Sequence, residues 1–411
     1  MAEVAAADTV FGSVSAEPEM AVEFLRAWHG GVGGGGPEVG RGLVTVVPLN
    51  SRGGHAGRTA FGELGGVCGA LATVGMDDMI WQRDKAGDVA RGPFNLYTNV
   101  GELRAEPDRS RNPFARGTKK DMGWVPGAWV DLDVGPGRFA DLGDCARGVE
   151  AVGLEPTITV ETGSGGMHCY WRLGGGLDPV NAEKMSRRLI EQFRAVCGVK
   201  VDSVGNSDRI MRLPGSVRWP KRGESAVGGT LCRLARIGGP VWTVGDVVAL
   251  TEPVWAGVLA RHEAAVDAEH DLLADANREL RAAARAGTNE WMRLYSVACA
   301  EEQFAREISW EAVLEPHGWR LLGGDGEPDR EGRRTWTRPG SDGANPRSLI
   351  TDWASSPDVA SLLSEAPETG LVELRERGVA LTKMRVWVQL QWHGDLVGFL
   401  RSWVMGGGVG E

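Results

Sequence analysis

The densest run of regular signals in the chain lies between residues 127 and 216, and few folds accommodate it. GAWVDLDV (127–134) alternates apolar and acidic side chains, the period-two pattern of a strand. PTITVE (156–161) and MHCYWRL (167–173) read as two more strands, joined by the glycine-rich TGSGG. Asp178 followed by Pro179 has the form of a helix N-cap and first helical residue. Val180, Leu189, Ile190, Phe193 and Val196 then ride on a helix that stops near Gly198. Strand, strand pair, helix and a further strand is α/β or α+β patterning.

At 411 residues the chain exceeds the usual size of one domain. Before the dense run, the turn-forming GGVGGGGPEVGRG (30–42) leads into LVTVVPL, a buried strand, and FNLYTNV (94–100) is a second candidate. A polar stretch ending in RGTKKD reads as an exposed loop. From about residue 250 the sequence turns Ala-, Glu- and Arg-rich. The expected division is a catalytic domain over 1–250, a helical linker over 251–288 and a smaller, mainly helical accessory domain over 289–411. In the last of these, Thr382 and Asp395 are positioned as N-caps of two short helices around a turn at His393-Gly394. Its eight tryptophans could stack on single-stranded bases or fill a core, and His317 and His393 read as structural.

Six cysteines are scattered without a CxxC pair, no apolar run approaches a membrane span, and the N-terminus MAEVAAADTVFGS lacks the order of a secretory signal. These features predict a cytoplasmic chain with reduced thiols, no zinc and no membrane partner. The net charge of -10 excludes indiscriminate coating of nucleic acid, so any basic surface must be local.

Asp131 and Asp133 stand two apart on a strand and therefore point to the same side. Two like charges so close repel unless cations neutralise them, and oxygen ligands suit Mg²⁺ or Mn²⁺. A DxD pair by itself also describes two solvated acids at a strand end. In ETGSGGMHCYW, glycines 163, 165 and 166 let the backbone approach a ligand, and Thr162 and Ser164 add hydroxyls. His168 opens the next strand on the face of Tyr170 and Arg172, placed to donate to a phosphate oxygen; a plain hairpin with a surface histidine has the same sequence. KVDSVGNSDRIMRLPGSVRWPKRG then supplies Asp202, or in its place Asp208, and the cations Arg209, Arg212, Arg218, Lys221 and Arg222. Arg forks match phosphate geometry, and Pro214-Gly215 forces a turn that could present them. Three acids, a histidine and several cations within one span are the parts of two-metal phosphoryl transfer.

The ordered set VDLDV, TGSGG-M-H-C-YW, Asp202 and R-I-M-RLPGS resembles the catalytic core of the archaeo-eukaryotic primase superfamily, in its phage- and plasmid-type bifunctional DNA primase/polymerase branch, over roughly residues 40–245. The resemblance implies an N-terminal α/β unit packed on an RRM-like sheet with the acids in the cleft between them. It implies that Asp131, Asp133 and Asp202 hold two Mg²⁺ or Mn²⁺ ions and that His168 contacts the triphosphate. Thr162, Ser164, Gly165, Arg209, Arg212 and Lys221 would complete the nucleotide site. Thr162 replaces the serine usual in the family, and Arg218 stands near the place of a common asparagine, with Lys221 slightly later than the usual lysine. The implied activity is primer synthesis or extension on single-stranded DNA from NTPs or dNTPs in phage or plasmid replication, in the host cytoplasm if phage-encoded. The chain has no GxxxxGK[ST] phosphate loop, so a replicative helicase would act in trans. A metal-dependent nuclease and a non-enzymatic replication initiator that binds DNA are the competing readings.

Overall fold

The computed structural model describes residues 15–30, 42–51, 59–78, 82–83, 89–90, 94–110, 115–220, 228–286, 296–322, 333–339, 349–352, 356–362, 370–377 and 379–405. Lys221, Arg222 and most of the 30–42 glycine segment lie outside them. The chain divides into two compact units, Met1–Gly257 and Val258–Glu411.

The first unit opens with α1 (Pro18–His29), β1 (Val44–Asn50), β2 (Ala60–Gly62), α2 (Leu64–Asp78) and a short ribbon of β3 (Gln82–Arg83) and β4 (Val89–Ala90). It continues through β5 (Phe94–Asn99), β6 (Glu102–Leu103), β7 (Met122–Leu132), α3 (Leu142–Val152), β8 (Ile158–Glu161), β9 (Met167–Leu177) and α4 (Pro179–Cys197). Short strands β10 (Ile210–Arg212), β11 (Val217–Arg218), β12 (Thr230–Leu231) and β13 (Arg233–Arg236) follow, and then the long helix α5 (Val244–Ala286). Two larger antiparallel sheets, in the orders β10-β5-β1-β2 and β13-β8-β9-β7-β6, stand beside the two-stranded pairs β3-β4 and β11-β12, so the fold is α+β.

The central pair of the larger sheet, β7 and β9, is buried on both faces. Ala128, Val130, Leu132, Cys169 and Trp171 face α3 and α4, sharing a core with Leu189, Ile190 and Phe193. Trp129 and Tyr170 face the other way, into a core with Phe24, Leu25 and Trp28 of α1 and Val44, Val46 and Leu96 of the smaller sheet. Period-two alternation thus delivers one set of side chains to each layer. The register sets Trp129 opposite Tyr170 and Asp131 opposite His168, which places the acid and the imidazole side by side facing the smaller sheet.

Local chemistry explains the ends of α4. The Asp178 carboxylate accepts from the Val180 and Asn181 backbone N–H groups, and Gly198 ends the helix at φ 65°, where a side chain would be strained. The expected apolar face needs correction: Val180 and Val196 are exposed, while Ala182, Met185, Leu189, Ile190 and Phe193 form the buried stripe. Val180 lies in the first turn and Val196 in the last, both off the line of contact with the sheet. The helix expected as a linker begins earlier, at Val244.

The second unit is helical for most of its described length, with α6 (Val297–Glu307), α7 (Trp310–Leu314), α8 (Leu371–Glu376), α9 (Lys383–Gln391) and α10 (Leu396–Met405). It also holds a five-stranded antiparallel sheet of β14 (Arg320–Leu321), β15 (Arg333–Thr337), β16 (Leu349–Asp352), β17 (Ser356–Leu362) and β18 (Leu381–Thr382), paired in chain order. Thr382 caps α9 through the Arg385 N–H, and Asp395 accepts from the Gly398 N–H at the start of α10. Trp310, Trp319, Trp336 and Trp403 are buried in this unit's core, and Trp387 and Trp392 pack against it. Of the six described tryptophans, four are therefore core residues and two flank the core. Among the described residues, no helix is long and apolar enough to cross a membrane.

Candidate active site

Three segments of the first unit meet at one end of β7. The first is the end of β7 itself, where Asp131 projects from the strand and Asp133 follows it. The second is the turn Gly135-Pro136-Gly137-Arg138, closed by Arg138 N–H donating to Gly135 O at 3.0 Å and Gly135 N–H to Phe139 O at 3.1 Å. The third is the loop from α4 to β10 that carries Asp202. This loop is tied down by Lys200 N–H on Gly137 O (2.8 Å), by the Trp129 indole N–H on Val204 O (2.9 Å) and by burial of Val201.

Asp131 lies beside His168, with Oδ1 3.5 Å from Nε2. That oxygen is buried and has no hydrogen-bond partner among the described residues. Burial pushes the Asp131 pKa up to about 6; Arg209 opposes the rise and Asp202 adds to it. Asp133 is raised too, by burial first and then by the charges of Asp131 and Asp202. The three acids named from sequence therefore feel one another. The Asp208 carboxylate accepts from Asn206 Nδ2 at 2.5 Å, and its charge acts on Arg116.

His168 is 5% exposed, and its Nδ1 is 3.5 Å from the Tyr170 hydroxyl. Burial, reinforced by Arg212 and Arg209 and opposed by Asp133, lowers its pKa to about 3, so the ring is neutral at pH 7. Arg212 comes from the facing sheet. It donates to Asn95 Oδ1 at 3.0 Å and lies over the Tyr97 ring, 5.2 Å from its centroid. Arg209 keeps a buried Nε without a hydrogen-bond partner among the described residues.

The TGSGG turn joins β8 to β9 beside Asp133. Gly163 and Gly165 have φ of 70° and 91°, and a Cβ on Gly166 would come within 2.6 Å of the Leu132 carbonyl oxygen. The Thr162 hydroxyl is taken up inside the turn, 2.8 Å from Ser164 Oγ and donating to Gly166 O at 3.1 Å. Ser164 and Gly165 form the exposed tip. Arg172 serves the fold instead of the site, donating to the carbonyls of Ala27 and Gly30 at the end of α1.

Arg138 was not singled out from sequence. Its guanidinium donates to Asp133 Oδ2 at 3.2 Å and to Asp202 Oδ1 at 2.7 Å. A cation five residues after a DxD strand, in a turn with two glycines, is the signal that could have found it. Burial works against its charge, but the hydrogen bond to Asp202 and the three carboxylates hold it more firmly protonated than usual.

Among the described residues, no group of three or more His, Cys, Asp or Glu side chains is gathered as an ion-holding set. The donor chemistry still fits a hard divalent cation. Three carboxylates supply oxygen ligands, one buried oxygen of Asp131 lacks a partner, and a guanidinium already bridges the other two acids.

No protein-family model and no curated protein matches the chain. Three solved structures resemble it. The AEP domain of the cyanophage S-2L primase-polymerase aligns at 16% identity and a TM-score of 0.38, over 58% of this chain and 100% of that one. The primase RepB′ aligns at 13% identity and a TM-score of 0.39, over 72% of this chain and 84% of that one. Its catalytic domain, solved in complex with initiator DNA, aligns at 11% identity and a TM-score of 0.35, over 60% of this chain and 97% of that one.

Proposed function

We propose that this chain is a DNA-dependent nucleotidyltransferase, a primase-polymerase that makes or extends primers on single-stranded DNA from NTPs or dNTPs. The observation that carries the reading is the meeting of Asp131, Asp133 and Asp202 beside a neutral His168, with Arg209 and Arg212 acting on Asp131 and on the imidazole. A nucleoside triphosphate and the metal ions that accompany it need those two signs of charge next to each other. Asp131, Asp133 and Asp202 would hold Mg²⁺ or Mn²⁺, which when bound supply charge neutralisation at the phosphates and activation of the primer hydroxyl.

The protein's own groups do the rest. His168, uncharged at neutral pH, donates a ring N–H to a phosphate oxygen without competing with the acids for a proton. Arg209 and Arg212 offset the triphosphate charge, and the Arg212 head is held in place by Asn95. The exposed Ser164-Gly165 tip lets backbone N–H groups approach the nucleotide. Lys221 is retained in the proposal from sequence alone, as are a separate helicase partner and replication as the setting.

The test is labelled-nucleotide incorporation on single-stranded template, with and without primer, in Mg²⁺ or Mn²⁺. The wild type is expected to give product, and Asp131→Ala or Asp133→Ala to cut it by on the order of 10²–10³ or more. Template cleavage without incorporation would favour a nuclease. Duplex binding unaffected by both substitutions, with no product, would favour an initiator.

A further inference from the structure

Arg138 is the charged residue at the site to which nucleotidyl transfer assigns no task. One guanidinium spans carboxylates from two segments, with 3.2 Å to Asp133 and 2.7 Å to Asp202. Its root is fixed, because the 135–139 turn closes on itself and Phe139 is buried. Its head is not: Arg138 is 22% exposed, Asp133 40% and Asp202 35%. A long side chain with an anchored root and a part-exposed head can leave without disturbing the fold.

We propose that Arg138 is a built-in counter-ion: it neutralises Asp133 and Asp202 while no metal is bound and must be displaced from at least one of them when a divalent ion enters. The inference rests on the reading of these acids as metal ligands. A divalent ion takes carboxylate oxygens at about 2.0–2.2 Å, so it competes for lone pairs that the guanidinium now occupies. Arg138 could also help an ion by keeping the acids together, and the two effects have opposite signs. Competition wins here, because other contacts hold the segments. Lys200 N–H on Gly137 O and the Trp129 indole on Val204 O tie the Asp202 loop in place without Arg138. Part-exposed bridges of this kind are each worth about a two- to fivefold factor, and removing a positive charge from the site adds to the gain.

The experiment is a titration of the full chain with Mn²⁺ in the absence of nucleotide, reading free Mn²⁺ by electron paramagnetic resonance. Arg138→Gln is expected to bind Mn²⁺ about tenfold more tightly than wild type. Arg138→Lys, which keeps the charge but loses the two-armed bridge, should gain about two- to threefold and serves if the glutamine variant does not fold. A circular-dichroism melt in EDTA establishes folding for each. Equal or weaker Mn²⁺ binding by the folded variants overturns the proposal. If wild type and Asp133→Asn bind Mn²⁺ identically, the metal-site reading itself has failed and takes the counter-ion with it.

Discussion

Asp131 sits with one carboxylate oxygen buried and unbonded among the described residues, and with its pKa raised to about 6. A carboxyl that holds its proton more tightly folded than unfolded contributes stability fully present below about pH 4 and lost as pH rises through about 6. His168 works the other way: its depressed pKa gives stability present above about pH 6.5 and lost as pH falls toward about 3. The two oppose each other between those limits, so the signal must be read by difference. In EDTA, Asp131→Asn should match wild type in unfolding free energy near pH 4 and exceed it increasingly up to pH 7, by as much as about 3 kcal/mol. A difference that stays flat across that range contradicts the account. His168→Ala should raise the nucleotide KM by about tenfold or more while changing template affinity little, checked by steady-state incorporation and by fluorescence anisotropy of labelled template. Strand alternation predicts which side chains of one strand share a face, as for His168 and Tyr170, whereas the register that sets Asp131 opposite His168 is visible only in the structure. Arg138 and Asn95 were not legible in the sequence, because the reach of a turn arginine and a cross-sheet amide depends on tertiary placement. Asp202 and Asp208 follow the same helix, and the Lys200–Gly137 contact together with the Arg138 bridge brings Asp202 to the end of the strand.

The hairpin joining β8 to β9 holds the site through its close approach to β7. Gly166 lies where a Cβ would meet the Leu132 carbonyl, so Gly166→Ala should push the two strands apart beside Asp133. We expect a loss of about 1–3 kcal/mol in urea unfolding, with incorporation at a temperature where the variant is fully folded reduced further than that loss explains. Full activity in a folded Gly166→Ala protein would show that the hairpin does not set the site. Caps and turns of this kind were readable from sequence: Asp178, Gly198, Thr382 and Asp395 all end or begin helices where their chemistry places them. The smaller sheet of the first unit was not, since β10 pairs with β5 more than a hundred residues earlier and local pattern carries no information about such partners. In the sheet of the second unit, the edge strands β14 and β18 are two residues long, too short for alternation to register.

At the level of the whole chain, each compact unit has its own hydrophobic core, and the proposed ion site lies wholly within the first. A ligand that binds only the folded form stabilises the part that binds it, by about 2.7 kcal/mol at a hundredfold excess over Kd. Calorimetry should therefore show Mn²⁺ raising the unfolding of the first unit by several degrees. The rise should vanish in Asp131→Ala, whereas a rise that survives there would place the ion elsewhere. The tryptophans of the second unit illustrate what composition can and cannot say. Stacking on bases and filling a core require the same side chain, and only burial separates them; Trp310, Trp319, Trp336 and Trp403 fill the core.

Acids distant in sequence that hold divalent ions at the end of β7 would be seen directly in a crystal. Crystals soaked in Mn²⁺ and measured at the manganese absorption edge should show anomalous density within about 2.0–2.2 Å of carboxylate oxygens of Asp131, Asp133 and Asp202, with the Arg138 head withdrawn. Density confined to other positions, with Arg138 still bridging Asp133 and Asp202, would contradict the reading of these acids as metal ligands.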